Sequence, residues 1–413
     1  MHPLDGRANR RQFLRRSGGA ALALSGASSV LSACTNSTEP IGGAPYPLAR
    51  PDRPVTLPLW EKPIPSGLEP ETGGTFTVFN YPEYIYGKLL VDFGKKYDVK
   101  VEVTPFNDIN SGIAILASGS VSPDVTEMTP DNLNRVVAAK LVKPINHSYV
   151  PNLTNVWDSL QSPFYDQGSR YTVPYTAYAT GIAYRTDKIT EDIPAMSNPW
   201  DIFWEAEKYT GKTALLSEPR ETIAMALLRK HHYDVNTEDP KLINEALNDL
   251  QELYNICSIK VGDQQYSNIP EGLAYLNQAW SGDMMAAYLY YLPKGTPASV
   301  LGFWRPERGK GPVQNDCWSI CSTTKKPVLA HLWLDYMCDY NNAYSNFVNF
   351  NGYQPPMKDF KPADLVKNKV IPESLGTCVL TEADFGPSSL QEMTLSWRGQ
   401  QLWQNAYAYF QAG

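Results

Sequence analysis

Strand-like and helix-like patterns of hydrophobic residues alternate along the chain from residue 75 onward. Thr75–Asn80 has the composition of a strand, and 99–104 alternates apolar and polar side chains, which is typical of a half-buried strand. In order, the predicted segments are a strand at 75–80, a helix at 84–97, a strand at 99–104, a helix at 109–116, a strand at 124–128 and a helix from Asp131. This β-α-β-α-β order predicts parallel strands with helices on the faces of the sheet.

The second half of the chain continues this mixture. Residues 171–175 and 181–184 predict two more strands, and the second could run from one lobe to another. Asp239 followed by Pro240 is a good helix start, and apolar residues follow at helical spacing as far as Tyr254. Further helices are predicted at 326–336 and 402–410. No repeat of solenoid length occurs, so two α/β lobes are the simplest interpretation.

The first 73 residues have the pattern of an export signal and a tether rather than that of a folded domain. Arg10-Arg11 before the short apolar run 20–31 resembles a twin-arginine export signal, and 31–34 resembles a bacterial lipobox with Cys34 as the acylated residue. The alternative is a basic, disordered terminus with a chance cysteine. We therefore expect residues 1–33 to be a signal peptide, and residues 34–73 to be the lipidated cysteine and a proline-rich, extended tether.

Composition narrows the function classes. The chain has 413 residues, of which 43% are hydrophobic and 19% charged, which indicates a soluble globular protein large enough for more than one domain. Its net charge of −7 argues against nucleic acid as a partner, and the body left after removal of the arginine-rich leader is more acidic still and attracts cations. Six cysteines are too few for a disulfide-built scaffold, and the pairing of the five after Cys34 stays open.

Motifs for catalysis are missing from the sequence. It contains no P-loop, no G-x-G-x-x-G dinucleotide fingerprint and no G-x-S-x-G nucleophile elbow. His231 and His232 are adjacent and point in different directions, and Cys317 and Cys321 lack the second pair that a zinc site needs. We therefore predict no enzymatic activity, no cofactor and no metal.

Carboxylates recur beside aromatic residues or turns at the ends of predicted strands. Ligands of open α/β sheets bind beyond the carboxyl ends of the strands, and ring faces combined with carboxylates suit an organic cation. Each acid also has a simpler explanation, because acids complement helix N-termini and form caps and turns. The candidate binding residues are Tyr81, Glu83, Tyr84, Thr129, Asp131, Glu218, Glu221, Trp280, Asp283, Asp316 and Tyr353.

Five short motifs follow one another over about 280 residues. They are Phe79-Asn80-Tyr81-Pro82-Glu83-Tyr84, Thr172-Val173-Pro174-Tyr175 before Thr180-Gly181-Ile182-Ala183, Glu218-Pro219-Arg220-Glu221 before Met225-Ala226-Leu227, Trp280 before Gly295-Thr296-Pro297, and Asn351-Gly352-Tyr353-Gln354-Pro355. From about Thr75 to the C-terminus this series resembles the spermidine/putrescine-binding proteins of bacterial ABC importers.

The resemblance implies a two-lobed α/β fold of the periplasmic-binding-protein type II class, with the ligand in a cleft between the lobes. Lobe 1 would comprise residues 74–180 and 317–361, and lobe 2 residues 184–312 and 366–413, with crossings near 180–184, 313–318 and 361–365. It further implies an extracytoplasmic, lipid-anchored monomer. This monomer would capture a polyamine or another small organic cation and deliver it to a membrane permease by hinge closure.

The resemblance also implies a role for each candidate residue. Tyr81 and Trp280 would stack on the polyamine, Glu218 and Glu221 would bind amines, and Asp316 would be the central partner of an ammonium group. Other pocket positions of the family are matched by, or lie near, Glu83, Tyr84, Thr129, Asp131 and Tyr353. Asp283 matches an acid of the putrescine-binding branch, and Gln391 is a candidate for a family glutamine.

Two departures from the family pattern leave alternatives open. Pro82 replaces a hydroxyl residue, and Gln314 stands where an aromatic residue is expected. The same fold could therefore bind another small solute, such as an amino acid, a γ-aminobutyrate-like zwitterion or a sugar. An amino acid would need a basic residue for its carboxylate, and Arg220 is the only cation within the motifs. The rival from another class is a secreted hydrolase that uses Glu218 and Glu221.

Overall fold

A computed structural model describes residues 46–412, so the predicted signal peptide and Cys34 lie outside the described residues. The strands are β1 (Thr75–Asn80), β2 (Lys100–Pro105), β3 (Val125–Met128), β4 (Val142–Lys143), β5 (Val173–Arg185), β6 (Thr213–Leu215), β7 (Lys260–Val261), β8 (Leu276–Trp280), β9 (Leu301–Trp304) and β10 (Val313–Cys321). The α-helices are α1 (Gly87–Tyr97), α2 (Ile109–Ser118), α3 (Pro130–Ala138), α4 (Asp158–Gln161), α5 (Pro219–Arg229), α6 (Pro240–Cys257), α7 (Gln265–Asn268), α8 (Ser281–Ala286), α9 (Pro327–Met337), α10 (Tyr340–Asn346), α11 (Pro362–Lys367) and α12 (Trp397–Gln411).

Short helices of other types connect these elements. The 3₁₀ helices span His147–Tyr149, Pro151–Asn155, Ile193–Ala195, Pro199–Phe203, Ala206–Tyr209, Ala298–Val300, Glu373–Cys378 and Glu382–Phe385, and the π-helical turns span Ala287–Tyr291 and Phe347–Asn351.

Local sequence explains where several helices begin. At the start of α6, the Asp239 side chain accepts a hydrogen bond from the Lys241 N–H at 2.8 Å, as the Asp-Pro pair predicts. The helix predicted from residue 84 begins only at Gly87. Glu83 has a φ of 60°, so the chain turns there before α1 can start, and Tyr84 is left pointing away from the helix surface into the protein.

The two strands predicted at 171–175 and 181–184 are one continuous strand, β5. It pairs with β10 as far as Ala179 and with β8 and β9 from Thr180 onward. The intervening residues have good strand propensity, so no sequence signal ends the strand between them. A Cβ at Gly181 would lie 2.1 Å from the Trp304 carbonyl oxygen, so only glycine allows β9 to approach this closely.

The sheet divides into two halves with the same strand order. In lobe 1 the order is β2-β1-β3-β10-β5, and in lobe 2 it is β7-β6-β8-β5-β9. In both halves the first three strands are parallel, and the fourth enters antiparallel from the other half of the chain. β5 belongs to both halves.

Three chain segments lie side by side where the halves meet. The Thr180 N–H donates to the Pro312 carbonyl at 3.1 Å, and the Val313 N–H donates to the Leu390 carbonyl at 3.0 Å. The third crossing, near 361–365, stays a prediction. The 3₁₀ helix Glu373–Cys378 packs on β9 and α8, whereas Glu382–Phe385 packs on α4.

Two large hydrophobic clusters form the core of the lobes. The first is centred on the buried rings of Phe76, Phe93, Trp318 and Trp333, and it continues along the inner side of β5 and β9. The second packs α5, α6 and α12 of lobe 2. Five cysteines, Cys257, Cys317, Cys321, Cys338 and Cys378, are buried free thiols. Within residues 46–412 no helix combines the length and hydropathy that crossing a membrane requires.

Residues 46–73, which we call the N-terminal strap, differ from the free tether that we expected. The strap has no helix, but Leu57 is only 1% exposed, and it packs in a third apolar cluster with α2 and α3. Side chains of lobe 1 donate to its backbone, as when Arg170 Nη1 donates to the Leu57 carbonyl at 2.8 Å. Prolines remove N–H groups but leave carbonyl acceptors, so this segment can dock without a periodic hydrophobic pattern.

Candidate ligand-binding site

Asp316 is the best-bonded carboxylate of the site. It lies on β10 beside a register shift against β5, and it is only 4% exposed. Its Oδ2 accepts from the Tyr84 hydroxyl at 2.5 Å and from Thr176 Oγ1 at 3.1 Å, and its Oδ1 accepts from the Tyr178 hydroxyl at 3.2 Å. Burial raises the pKa of Asp316 to about 6, although the three hydroxyls act in the opposite direction.

Aromatic rings surround this carboxylate. The Tyr353 ring centroid lies 5.1 Å from that of Tyr84 and 5.6 Å from that of Tyr178, both nearly perpendicular. Tyr81 lies 6.0 Å from Tyr84, and Trp280 lies 6.3 Å from Tyr178. These rings come from both lobes, and their edge-to-face arrangement is the preferred geometry for aromatic pairs.

Glu221 supplies a second carboxylate, from the first turn of α5. It is 4% exposed, and its Oε1 accepts from Trp280 Nε1 at 2.8 Å. Its Oε2 is buried and has no hydrogen-bond partner among the described residues. Burial raises its pKa, while the indole N–H, the nearby Thr180 hydroxyl and the charge of Arg220 favour the ionised form. The predicted acid and the predicted stacking residue therefore form one unit with a free oxygen.

Asp283 supplies a third carboxylate, from the first turn of α8. Its Oδ1 accepts from the Tyr353 hydroxyl at 2.9 Å, and its Oδ2 accepts from Gln265 Nε2. Burial raises the pKa of Asp283 to about 7. Gly282 makes this contact possible, because a Cβ there would lie 2.4 Å from the Tyr353 ring.

The remaining predicted residues stand at the edges of this group. Thr129 Oγ1 and Asp131 Oδ2 both accept from Asn132 Nδ2, at 2.9 and 3.0 Å, so the first turn of α3 uses part of their capacity. Glu83 Oε2 accepts from the Tyr291 hydroxyl at 3.3 Å, which links lobe 1 to lobe 2.

Glu218 stands at the N-cap position of α5, but its side chain makes no capping hydrogen bond. Burial and the charges of Asp108 and Asp131 raise its pKa well above the ordinary value. The helix-cap explanation therefore does not account for this residue, and the charges that act on its carboxyl group are those of other acids.

Several residues of the site were missed by the sequence reasoning. Thr176 and Tyr178 are two residues apart on β5, so their side chains point to the same face of the sheet. The two-residue period of a strand could have identified them in the sequence. Gln265, which holds Asp283, lies on the four-residue helix α7 and carries no local signal. The sequence reasoning also missed two acids, Glu127 and Glu392.

Glu392 lies in the irregular segment before α12, beside Gln391. Its Oε1 is buried without a partner among residues 46–412, and burial together with the charge of Glu221 raises its pKa well above the ordinary value. Gln391 donates instead to Ser389 Oγ at 2.8 Å. When the Gln314 amide is oriented so that its oxygen faces a donor, it accepts from the backbone N–H of Glu392 at 2.6 Å. This departure from the family pattern therefore holds the backbone at Glu392 where the family has a ring.

The electrostatics of the site are those of an anion cluster. The charge of Asp131 acts on Glu127, Glu218, Glu221, Asp316 and Glu392, and it raises the pKa of each. The charge of Arg220 acts in the opposite direction on Glu221 and Glu392, but its hydrogen bonds go elsewhere: its Nη2 donates to Asn236 Oδ1 at 2.6 Å, and its guanidinium lies 4.7 Å from the centroid of the Trp403 ring. Within the described part of the chain, no group of three or more His, Cys, Asp or Glu side chains is placed to hold a metal ion.

Comparison with known proteins decides the family. The model of a family described as bacterial extracellular solute-binding protein matches residues 88–372, which is more than half of the chain. The chain belongs to the bacterial extracellular solute-binding proteins. This solute-binding protein therefore acts outside the cytoplasm.

Curated relatives are identical to this solute-binding protein at about a quarter of the aligned positions. The spermidine/putrescine-binding periplasmic protein 1 of Haemophilus influenzae is 27% identical over 267 residues, which cover 64% of this chain and 70% of the relative. The spermidine/putrescine-binding periplasmic protein of Escherichia coli is 28% identical over 246 residues, which cover 59% of this chain and 67% of the relative.

A solved structure confirms the fold. PotD, the substrate-binding protein of a spermidine/putrescine ABC transporter from Streptococcus pneumoniae, matches this solute-binding protein with a TM-score of 0.62 and 19% identity. The match covers 82% of this chain and 99% of PotD. The predicted two-lobed type II fold is thereby confirmed, and at this identity the likeness speaks for the fold alone.

Proposed function

We propose that this protein captures a polyamine of the putrescine/spermidine class outside the cytoplasm and delivers it to an ABC transporter permease. The observation that carries the proposal is a group of buried carboxylates whose hydrogen-bond donors are neutral side chains and which tyrosine and tryptophan rings enclose. Asp316, Asp283 and Glu221 are each at most about 5% exposed. Such acids would be costly to bury unless a cation joined them.

The arrangement fits an amine with several positive charges and methylene spacers. Charge-assisted hydrogen bonds to carboxylates contribute roughly 1.5–3 kcal/mol each, and an ammonium group over a ring face gains roughly 0.5–2 kcal/mol. Asp316 stands in lobe 1, whereas Glu221 and Asp283 stand in lobe 2. A ligand with separated charges would therefore bridge the lobes and favour hinge closure, with no chemical step.

The site is less suited to the alternative ligands, an amino acid or a sugar. An amino acid needs a cation for its carboxylate. Both Nη atoms of Arg220 already donate, to Met393, Val235 and Asn236, and only its buried Nε lacks a partner among residues 46–412. A neutral sugar would use the rings but would leave the acids unpaired. Both solutes belong in the test as competitors.

The membrane side of the proposal rests on the sequence. Acylation of Cys34 would hold the protein at the outer face of the membrane. The anchored protein would be a monomer. Metabolic labelling with a radioactive fatty acid should mark the wild-type chain and should not mark a Cys34→Ala variant.

Thermal denaturation of the full chain with added solutes tests the ligand. Putrescine, spermidine, spermine, γ-aminobutyrate, arginine and maltose are compared at equal concentration. A ligand at a hundred times its Kd stabilises the folded form by about 2.7 kcal/mol, so a true ligand raises the Tm as its concentration rises. A rise with polyamines alone supports the proposal, and a rise only with another solute contradicts it.

A further inference from the structure

Glu127 is a buried carboxyl group that the contacts described so far do not use. It lies on β3 with 0% of its surface exposed, and neither carboxyl oxygen has a hydrogen-bond partner among residues 46–412. Burying a carboxyl group without partners is strongly unfavourable, whether it is charged or neutral.

Two unpartnered donors stand beside Glu127. Trp318 is paired with Glu127 across the β3–β10 ladder. On the other side, Val78 of β1 pairs with Val125 of β3, so Asn80 and Glu127, each two residues further along, lie level with one another. Paired residues on neighbouring strands point to the same face of a sheet. Trp318 Nε1 and Asn80 Nδ2 are buried and lack partners in the described chain, so three unsatisfied polar groups share one face of β1, β3 and β10.

The same face carries the floor of the binding site. Asp316 precedes Trp318 by two residues on β10, so the two side chains point to the same face of the sheet. The charges that act on Glu127 are those of Asp316 and Asp131, and both are negative. Burial and these two carboxylates raise the pKa of Glu127 well above its ordinary value, so a cation that arrives here relieves repulsion as well as desolvation.

The geometry points to Glu127 as a further ligand-binding carboxylate, which receives one primary ammonium group of the bound amine together with Asp316. This inference rests on the proposed function. A primary ammonium has three N–H donors. Asp316 already accepts three hydroxyl hydrogen bonds, so its oxygens have little remaining capacity, and the two free oxygens of Glu127 supply the rest. This end of the site therefore selects an –NH₃⁺ terminus over an alkylated one.

Calorimetric titration of the full chain and of Glu127→Gln with putrescine and with N,N,N′,N′-tetramethylputrescine tests the inference. Glutamine keeps the shape and removes the charge. We expect the affinity for putrescine to fall at least tenfold in Glu127→Gln, and the preference for putrescine over the tetramethyl compound to shrink. The Tm of the ligand-free variant at pH 8 should equal or exceed that of the wild type, because a buried repulsion has been removed.

Asp166→Asn is the matched control. Asp166 is equally buried, but its oxygens accept from the backbone of Arg170, Tyr171 and Thr172 and from the Thr172 hydroxyl. This variant should lower the Tm and leave the affinity for putrescine within about twofold.

The outcomes separate the inference from the proposed function. If the wild type binds neither putrescine nor spermidine, the proposed function fails and the inference fails with it. If the wild type binds putrescine and Glu127→Gln binds it equally well, only the inference fails. Should Glu127→Gln not fold, Glu127→Met, which leaves no polar atom unpaired, takes its place, and failure of both to fold would assign Glu127 a structural role and overturn the inference.

Discussion

The two lobes share one strand order, but Asp316 of lobe 1 and Glu221 of lobe 2 differ in their hydrogen bonding. In lobe 1, Asp316 accepts hydrogen bonds from three hydroxyl groups. In lobe 2, Glu221 accepts one hydrogen bond from an indole and keeps one oxygen without a partner in the described chain. The same scaffold thus presents one carboxylate that is oriented in advance and one that still needs a donor.

This difference suggests a division of labour between the lobes. A carboxylate fixed by hydroxyl groups costs less to order when a cation arrives, so we expect lobe 1 to receive the amine first. Glu221, whose remaining oxygen is unsatisfied, gains most when lobe 2 closes over the bound cation.

Asp316→Asn should have the largest effect. The substitution keeps the size of the side chain and removes the charge that three hydroxyls orient, so we expect the affinity for putrescine to fall about a hundredfold, or about 3 kcal/mol. Titration calorimetry measures the loss. An affinity within twofold of the wild type would show that lobe 1 does not hold the amine through this residue.

Glu221→Gln should have a smaller effect of the same sign. Its amide can still accept from Trp280, so only the charge and the free oxygen are lost, and we expect a fall of about tenfold in affinity for putrescine. Glu252→Gln, on α6 and outside the site, is the control. A loss larger than that of Asp316→Asn would reverse the order of the lobes.

The affinity for polyamine should rise with pH between about 5 and 8. In the ligand-free protein Asp316 and Asp283 have pKa values of about 6 and about 7, above their ordinary 3.8, and a bound cation favours the ionised forms. Because these folded-state pKa values are raised, the stability they contribute is present at low pH and is lost as the pH rises through 6 to 7.

Two measurements follow from this sign. The Tm of the ligand-free protein should fall from pH 5 to pH 8, while the affinity for putrescine should increase several-fold over the same range. A ligand affinity that does not change between these pH values would contradict the account of both carboxyl groups.

Glu71→Ala should have the smallest effect, and it concerns stability alone. The Glu71 carboxylate in the N-terminal strap accepts from the N–H groups of Val328 and Leu329 at the start of α9, at 3.2 and 2.9 Å. Its loss should cost about 1 kcal/mol and lower the Tm by about 1–3 °C. Glu69→Ala, at an exposed position of the strap, should leave the Tm unchanged.

The sequence predicted the strand and helix order well because local patterns determine it. Thr75–Asn80 and the Asp239-Pro240 start lie where the pattern places them. The strap was misjudged because its docking depends on isolated contacts, such as Leu57 in a cluster with α2 and α3, rather than on a period.

The site was predictable in part for the same reason. Glu221 and Trp280 stand in short motifs, and Asp316 is one of the carboxylates beside an aromatic residue or a turn, so all three were identified. Glu127 lies within an ordinary strand, and Glu392 in a segment without a pattern, so no local signal marks either. Only the pairing of β3 with β10 and the fold of the C-terminal segment bring them beside the other acids, and such pairings are set by contacts distant in sequence.

The most direct test of the central claim is a calorimetric titration of the full chain with spermidine at pH 7, in two buffers with different ionisation enthalpies. The account predicts binding at one site with a net release of protons, because a polyamine displaces protons from the buried carboxyl groups. Absence of binding by spermidine and putrescine, in a protein that a neutral solute such as maltose does stabilise, would contradict it.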